Sequence, residues 1–382
     1  MTAGDGSQML VGMSARRVSL GLVMLCAITC ACGDDNPEKP GPPALSFALQ
    51  PPIPLGSTLW RSIASGDFNH DGNADLAACS SESNLVYVTL GRGDGTFQSP
   101  RRIPVAEIDV TAGDFDGDGN LDLATSRLAQ GVTFLYGRGD GNFDVISSGF
   151  HYLDQFTGSA GDFNGDGIDD YAGQASDSVA VVLGNSSRAH TRVVSYLIPR
   201  AGGYGEGVAA DIDGDSHVDY AVGNQANHAN VYYGNGDGSF QSQATPSDAG
   251  WDMGMCSIRP RGGTAGRDLA IAHNIGDVVG VLRRVSGAFV AEVTYPLGTS
   301  LTDVGAGDLD MNGVEDLVVC GLDTNSIMVL RGYNDGTYAA AKPFHVGGPA
   351  QSLAVVDVNN DGLPDVAVVG FREMYVLLNT TK

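Results

Sequence analysis

Six stretches of this chain carry acids and amides at the same four places, in the pattern D-x-[DN]-x-[DN]-x-x-x-D. They are Asp67, Asn69, Asp71 and Asp75; Asp114, Asp116, Asp118 and Asp122; Asp162, Asn164, Asp166 and Asp170; Asp211, Asp213, Asp215 and Asp219; Asp308, Asp310, Asn312 and Asp316; and Asp357, Asn359, Asp361 and Asp365. Side chains at positions one, three and five can converge on one point, and the ninth can close the shell. The seventh residue (Asn73, Asn120, Ile168, His217, Val314 or Leu363) can add its backbone carbonyl. Glycine fills position six in every copy but one, which has Ser216, and glycine permits a sharp reversal there. An all-oxygen shell of six to eight ligands suits calcium better than the smaller magnesium ion. The loops are therefore expected to hold about six structural calcium ions, the Ser216 copy more weakly. A hydrogen-bonded Asx turn alone leaves carboxylates within about 5 Å of one another, repelling at roughly 3 kcal/mol per pair for an effective dielectric near 20.

The copies start 47, 48, 49, 97 and 49 residues apart. The interval of 97 is two periods, so a unit without its acids lies between them. A period in the forties marks an array of small supersecondary units. The odd unit reads CSIRPRGGTAGRDLAIA and keeps only the ninth-position Asp268, with Arg259, Arg261 and Arg267 around it. An arginine is expected to replace the cation there by pairing with Asp268. Within a unit, short alternating segments such as SIASG, DLAACS, LVYVTLG and RRIPV are separated by Gly, Asn and Asp clusters, an antiparallel pattern. Four strands in each of seven units predict an all-β, seven-bladed propeller of antiparallel blades. The last unit has no fourth strand of its own. FALQPPIPLG, Phe47 to Gly56, is similar to the fourth-strand segment FQSPRRIPV, so residues near 45–55 are expected to complete the last blade and close the ring.

The extended motif A-x-G-D-[FL]-[DN]-x-[DN]-G-x-x-D-[LV] resembles the FG-GAP/VCBS repeat family, whose best-known members are the propellers of integrin α subunits. The resemblance covers nearly all of residues 45–382 and implies a seven-bladed propeller with calcium in the hairpins between first and second strands. The Phe-Gly and Gly-Ala-Pro signatures that name the family in integrins are missing, which places the chain nearer the bacterial branch. An integrin-like role does not follow, because fold does not fix function.

The chain is 382 residues long with a formal net charge of −24. Positions one, three, five and nine of the loops hold 20 of its 45 acids, so much of this charge is local and would be offset by bound cations. An acidic surface argues against nucleic acid as a partner. Residues 1–32 differ from the rest: Arg16 and Arg17 precede an apolar run from Val18 to Ala31, the form of an export signal and too short for a membrane span. Residues 1–12 fit no part of a signal, which makes Met13 the expected start. The segment TCACGDDNPEKPGPP resembles a bacterial lipoprotein processing site, with Cys32 as the residue lipidated, Cys30 as the alternative, and 33–44 as a Pro-rich linker. An exported monomer is expected, attached to the outer membrane or cell surface only through its lipid; the alternative is an ordinary secretory peptide cut near the same place, which leaves the protein periplasmic or secreted.

Other features read more plainly. Arg-Gly-Asp at Arg92–Asp94 and at Arg138–Asp140 falls in a hairpin turn that reads NGDGSF and YNDGTY elsewhere, so the arginine occupies a variable position. The seven histidines form no metal or triad spacing, and Cys79, Cys256 and Cys320 sit in apolar strands as small hydrophobes. Connections between blades carry acids outside the repeat, Asp154, Glu206, Asp248 and Asp252, beside Tyr152, Phe156, Tyr204 and Trp251, with Trp60 nearby. Such loops lie on the face opposite the acidic turns. They are equally readable as a plug over the channel and as a surface for a protein or glycan ligand. The expected activity is binding or scaffolding, with no catalytic residue assigned. The alternative is a carbohydrate-active enzyme, a polysaccharide lyase or hydrolase, using Glu206 or Asp252 on that face.

Overall fold

The computed structural model describes residues 43–382, apart from 57–59, 81, 83, 106–107, 128–130, 148–157, 175–177, 198–205, 225–227, 248–251 and 261–264. Seven antiparallel sheets follow one another along the chain. Blade 1 is Trp60–Gly66, Asp75–Ser80, Leu85–Thr89 and Arg101–Ile103, and the other six repeat this order. The first strands touch one another in sequence around the ring, and the first strand of blade 7, Ala350–Val356, touches that of blade 1. The molecule is therefore the seven-bladed propeller that the repeat arithmetic predicts.

The strands follow from their residues. Second strands such as DLAACS and DVAVVG are buried along their whole length because a neighbouring blade covers each face. Small and β-branched side chains fit that slot. The core is accordingly divided into seven apolar clusters, each spanning one blade interface. That between blades 1 and 2 joins Val86 and Val88 to Leu123 and Leu135. Blades 3 and 4 use tyrosine instead: Tyr171 and Tyr220, both 0 % exposed, lie over Gly158 and Gly207, where an added Cβ would stand 2.2 and 2.3 Å from the tyrosine hydroxyls.

The ring closes as the N-terminal segment implied. Phe47–Leu49 pairs antiparallel with Glu373–Asn379, in the register Phe47↔Asn379, and Ile53–Pro54 continues along the same strand. Proline is tolerated there because this is an outer edge. Blade 5 departs from the pattern. Between its third strand, Val278–Leu282, and its fourth, Val293–Pro296, a small hairpin pairs Arg284–Val285 with Ala288–Phe289.

Candidate metal loops and axial carboxylates

Each acidic loop joins the first and second strands of its blade. In blade 1, Asp67 Oδ1 accepts from the N–H groups of Asn69 (3.3 Å) and Asp71 (3.2 Å), and Oδ2 from Gly72 N–H (2.9 Å). Asn69 Oδ1 then accepts from Asp71 N–H, and Asp71 Oδ1 from Asn73 N–H, each at 2.9 Å. This chain of Asx bonds gathers the side-chain oxygens of positions one, three and five on the inside of the turn. The Asx turn and the carboxylate cluster thus coexist, where the sequence reading set them as alternatives. Position six is in the left-handed region throughout, and Ser216 is held there at φ 75° without the freedom of glycine. The loops are tied together as well: His70 Nε2 meets Asn120 Oδ1 at 2.8 Å, and Asn360 Nδ2 donates to Asn73 Oδ1 at 2.7 Å. Below each loop the second-position side chain (Phe68, Phe115, Phe163, Ile212, Leu309 or Val358) is at most 1 % exposed and plugs the blade.

The ninth aspartate has a second task. Asp75 accepts from Phe68 N–H (2.9 Å) at one oxygen and Gly91 N–H (2.7 Å) at the other, so it clamps the loop to the end of the third strand. Asp122, Asp170, Asp219, Asp316 and Asp365 make the same two kinds of bond. Burial pushes Asp75, Asp219 and Asp365 up to about 6, and Asp122, Asp170 and Asp316 up to about 7, against the backbone bonds and with the loop's other acids adding to the rise.

This clamp explains the fifth unit. Asp268 Oδ1 accepts from Arg284 N–H at 2.7 Å, so the one acid retained there is the one with a hydrogen-bonding task inside its blade. Arg259 turns to the next blade, bonding Glu315 through its Nε (2.9 Å) and its backbone N–H (2.7 Å). Arg261 lies outside the described residues. Asp268 thus serves the clamp, a task the sequence reading did not give it.

Position three divides the loops into two classes. In blades 2, 4 and 6 it is aspartate, and there the carboxylates at positions one, three and nine lie within 4.8 Å of one another. Calcium–oxygen distances of 2.3–2.6 Å span about that width across an ion, so the donor sets fit calcium. Two of these aspartates are paired with an arginine and the third lies in the field of one. Arg188 Nε donates to Asp116 at 2.7 Å while its guanidinium lies over the Tyr136 ring, Arg331 pairs with Asp310, and Asp213 lies in the field of Arg284. In blades 1, 3 and 7 position three is asparagine, and its Nδ2 donates to the fifth-position aspartate at 3.0 Å in all three.

At the other end of the channel the sequence reading found one acid of three. Glu206, partly exposed, immediately precedes the first strand of blade 4. Its carboxyl shares a hydrogen bond with that of Asp303 in blade 6, and burial pushes both above the usual carboxylate range. Asp109 of blade 2 is in electrostatic range of both and is pushed up to about 6 by burial. Asp109 and Asp303 were missed because each lies in a first strand, outside the loop motif that drew the eye to the other acids of its unit. The available signal was register: all three stand five residues ahead of a loop's first aspartate. Asp252 and Trp60 lie in the first strands of blades 5 and 1. Tyr152, Asp154, Phe156, Tyr204, Asp248, Trp251 and Cys32 lie outside the described residues. Both Arg-Gly-Asp aspartates are engaged within their hairpins, Asp94 with Thr96 N–H and Asp140 with Asn142 N–H, each at 2.9 Å.

The family model for the FG-GAP-like repeat matches residues 67–125, 162–222 and 308–368. Each match contains two successive loops, and blade 5 falls in the gap. No curated protein matches the chain. Among solved structures, the virginiamycin B lyase of Staphylococcus aureus is similar in fold, with TM-score 0.61, 12 % identity, and 87 % of this chain and 99 % of that one covered. BBS1N in its complex with ARL6DN has TM-score 0.59 and 10 % identity, covering 88 % and 98 %. An Agrocybe aegerita lectin that recognises non-reducing terminal N-acetylglucosamine has TM-score 0.53 and 17 % identity, covering 76 % and 81 %.

Proposed function

We propose that this FG-GAP repeat protein is an exported, calcium-stabilised binding or scaffold module, held at the cell envelope by a lipid on Cys32, whose ligand is a protein or a glycan. The observation that carries the reading is the inequality of the blade connections. Those entering blades 3 and 4 run from 148 to 157 and from 198 to 206, whereas the one entering blade 6 runs only from 297 to 300. The long pair holds Tyr152, Phe156, Tyr204 and Glu206, aromatics beside an acid on a rigid ring. Loops that vary on a fixed scaffold are where recognition concentrates. The propellers of similar fold in a protein complex and in a lectin support both ligand classes.

Calcium would be held by the oxygens at positions one, three, five and nine and the carbonyl at seven of each loop, fixing the turns and offsetting their charge. Binding to the folded state alone raises stability by about 2.7 kcal/mol per site at a hundredfold excess over the dissociation constant. A chelator should therefore lower the melting temperature, and an unmoved melting temperature refutes the calcium reading. A glycan array and affinity capture from envelope extracts, repeated with Tyr152→Ala and Tyr204→Ala, test the binding face. Loss of binding with an unchanged melting temperature supports it. Polysaccharide turnover abolished by Glu206→Gln would replace it with the enzymatic alternative.

A further inference from the structure

Asp109, Glu206 and Asp303 occupy one register position in blades 2, 4 and 6, where blades 1 and 7 have Ser62 and Ser352. Two of the acids also hold the adjoining blade. Asp109 Oδ2 accepts from Gly158 N–H at 2.9 Å; Asp303 Oδ2 accepts from Leu353 N–H at 2.8 Å and Ser352 Oγ at 3.0 Å. Glu206 and Asp303 meet although their blades are not neighbours, so their contact reaches across the channel. Among the described residues no lysine or arginine pairs with any of the three, in contrast to Asp116 and Asp310 in the loops.

Two buried hydroxyls stand beside this tier. Ser126 stands directly opposite Asp109 in the antiparallel register, so the two side chains share a face. It is 0 % exposed, and its Oγ has no hydrogen-bond partner among the described residues. Tyr220, also 0 % exposed, sets its hydroxyl against Gly207, the residue after Glu206, in the field of Asp109 and likewise without a partner. An unsatisfied buried polar group costs about 1–3 kcal/mol. Acids without a counter-charge beside unsatisfied hydroxyl oxygens are the surroundings of a hard cation carrying water.

We propose that this axial tier is a further cation site, separate from the loops, which takes one divalent cation between Glu206 and Asp303. The two carboxylates neutralise the ion's charge, and Asp109 with the Ser126 and Tyr220 hydroxyls is reached through its bound water. Selectivity at such a site comes from oxygen donors fixed by three different blades, so the ion also locks blades 2, 4 and 6 in place.

The test uses the full chain, stripped of metal by dialysis and re-equilibrated with calcium chloride. Bound calcium is counted by elemental analysis in the wild type, in Glu206→Gln and in the Glu206→Gln/Asp303→Asn double variant. The wild type should hold one more ion per chain than the double variant. Terbium-soaked crystals should show an anomalous peak between Glu206 and Asp303. An unchanged count, or terbium peaks confined to the loops, overturns the proposal and leaves a proton shared by the two carboxyls. Should the double variant not fold, the wild-type terbium peak and the single variant decide. An axial peak without loop peaks would sustain this site while removing the calcium reading of the loops, so the two fail separately.

Discussion

The two ends of the channel use carboxylates in opposite ways. At the loop end each blade gathers its own acids, and the grouping is stamped out six times by one local turn. At the axial end single acids from blades 2, 4 and 6 are brought together only by the closing of the ring. The first arrangement is a property of the repeat, and the second a property of the assembled propeller. Acids that recur therefore report architecture, while acids that break the recurrence report what is particular to this chain.

The comparison is most exposed at the ninth aspartate. If the clamp is architectural, Asp122→Ala should cost roughly 3–5 kcal/mol by leaving two buried N–H groups without an acceptor, and Asp268→Ala about 2–3 kcal/mol. The Asp268→Ala loss should be the same in calcium and in chelator, as measured by denaturant unfolding. A loss seen only with calcium would assign Asp268 to a metal and overturn the clamp. At the axial end, Asp109 is held near 6 in the fold against 3.8 ordinarily. A carboxyl with the higher value in the folded state binds its proton more tightly there, so its contribution is full below about pH 4. That contribution disappears as the pH rises through about 6. Melting curves of metal-stripped protein should therefore decline across this window, with a shallower decline in Asp109→Asn. Within the loops, Arg188→Gln should free Asp116 and tighten calcium at blade 2 roughly tenfold, about 1.4 kcal/mol. Calcium titration should show the gain at one site only, since blade 3 has asparagine at position three. Smallest of all, Ser216→Gly should stabilise the protein by about 1 kcal/mol by relieving a left-handed serine.

Much of the fold was legible because it is periodic. Blade number, strand order, the turn at position six and the closing segment before Trp60 all follow from residues that recur or conspicuously fail to. The loop ligands were legible for the same reason. What the pattern concealed was division of labour inside it. The ninth aspartate carries the same letter as the first, yet one of its oxygens is taken by the loop's second-position N–H and the other by an N–H some 15 residues downstream, as Phe115 and Gly137 do with Asp122. The arginines that pair with Asp116 and Asp310 come from elsewhere in the chain, and only the fold sets them there. Asp109 and Asp303 are unremarkable in their own units and acquire meaning across the axis.

The seam in blade 7 sets the order of events during synthesis. Its outer strand, Phe47–Leu49, is translated before any other strand of the propeller, and its partner ends at Asn379. Six blades can take shape as they emerge, but the strand of the ring made first must wait for Glu373–Asn379, more than 300 residues on. A nascent chain thus carries an unpaired edge until Glu373–Asn379 has left the ribosome, and a truncation within that strand would withhold the seam from the entire ring.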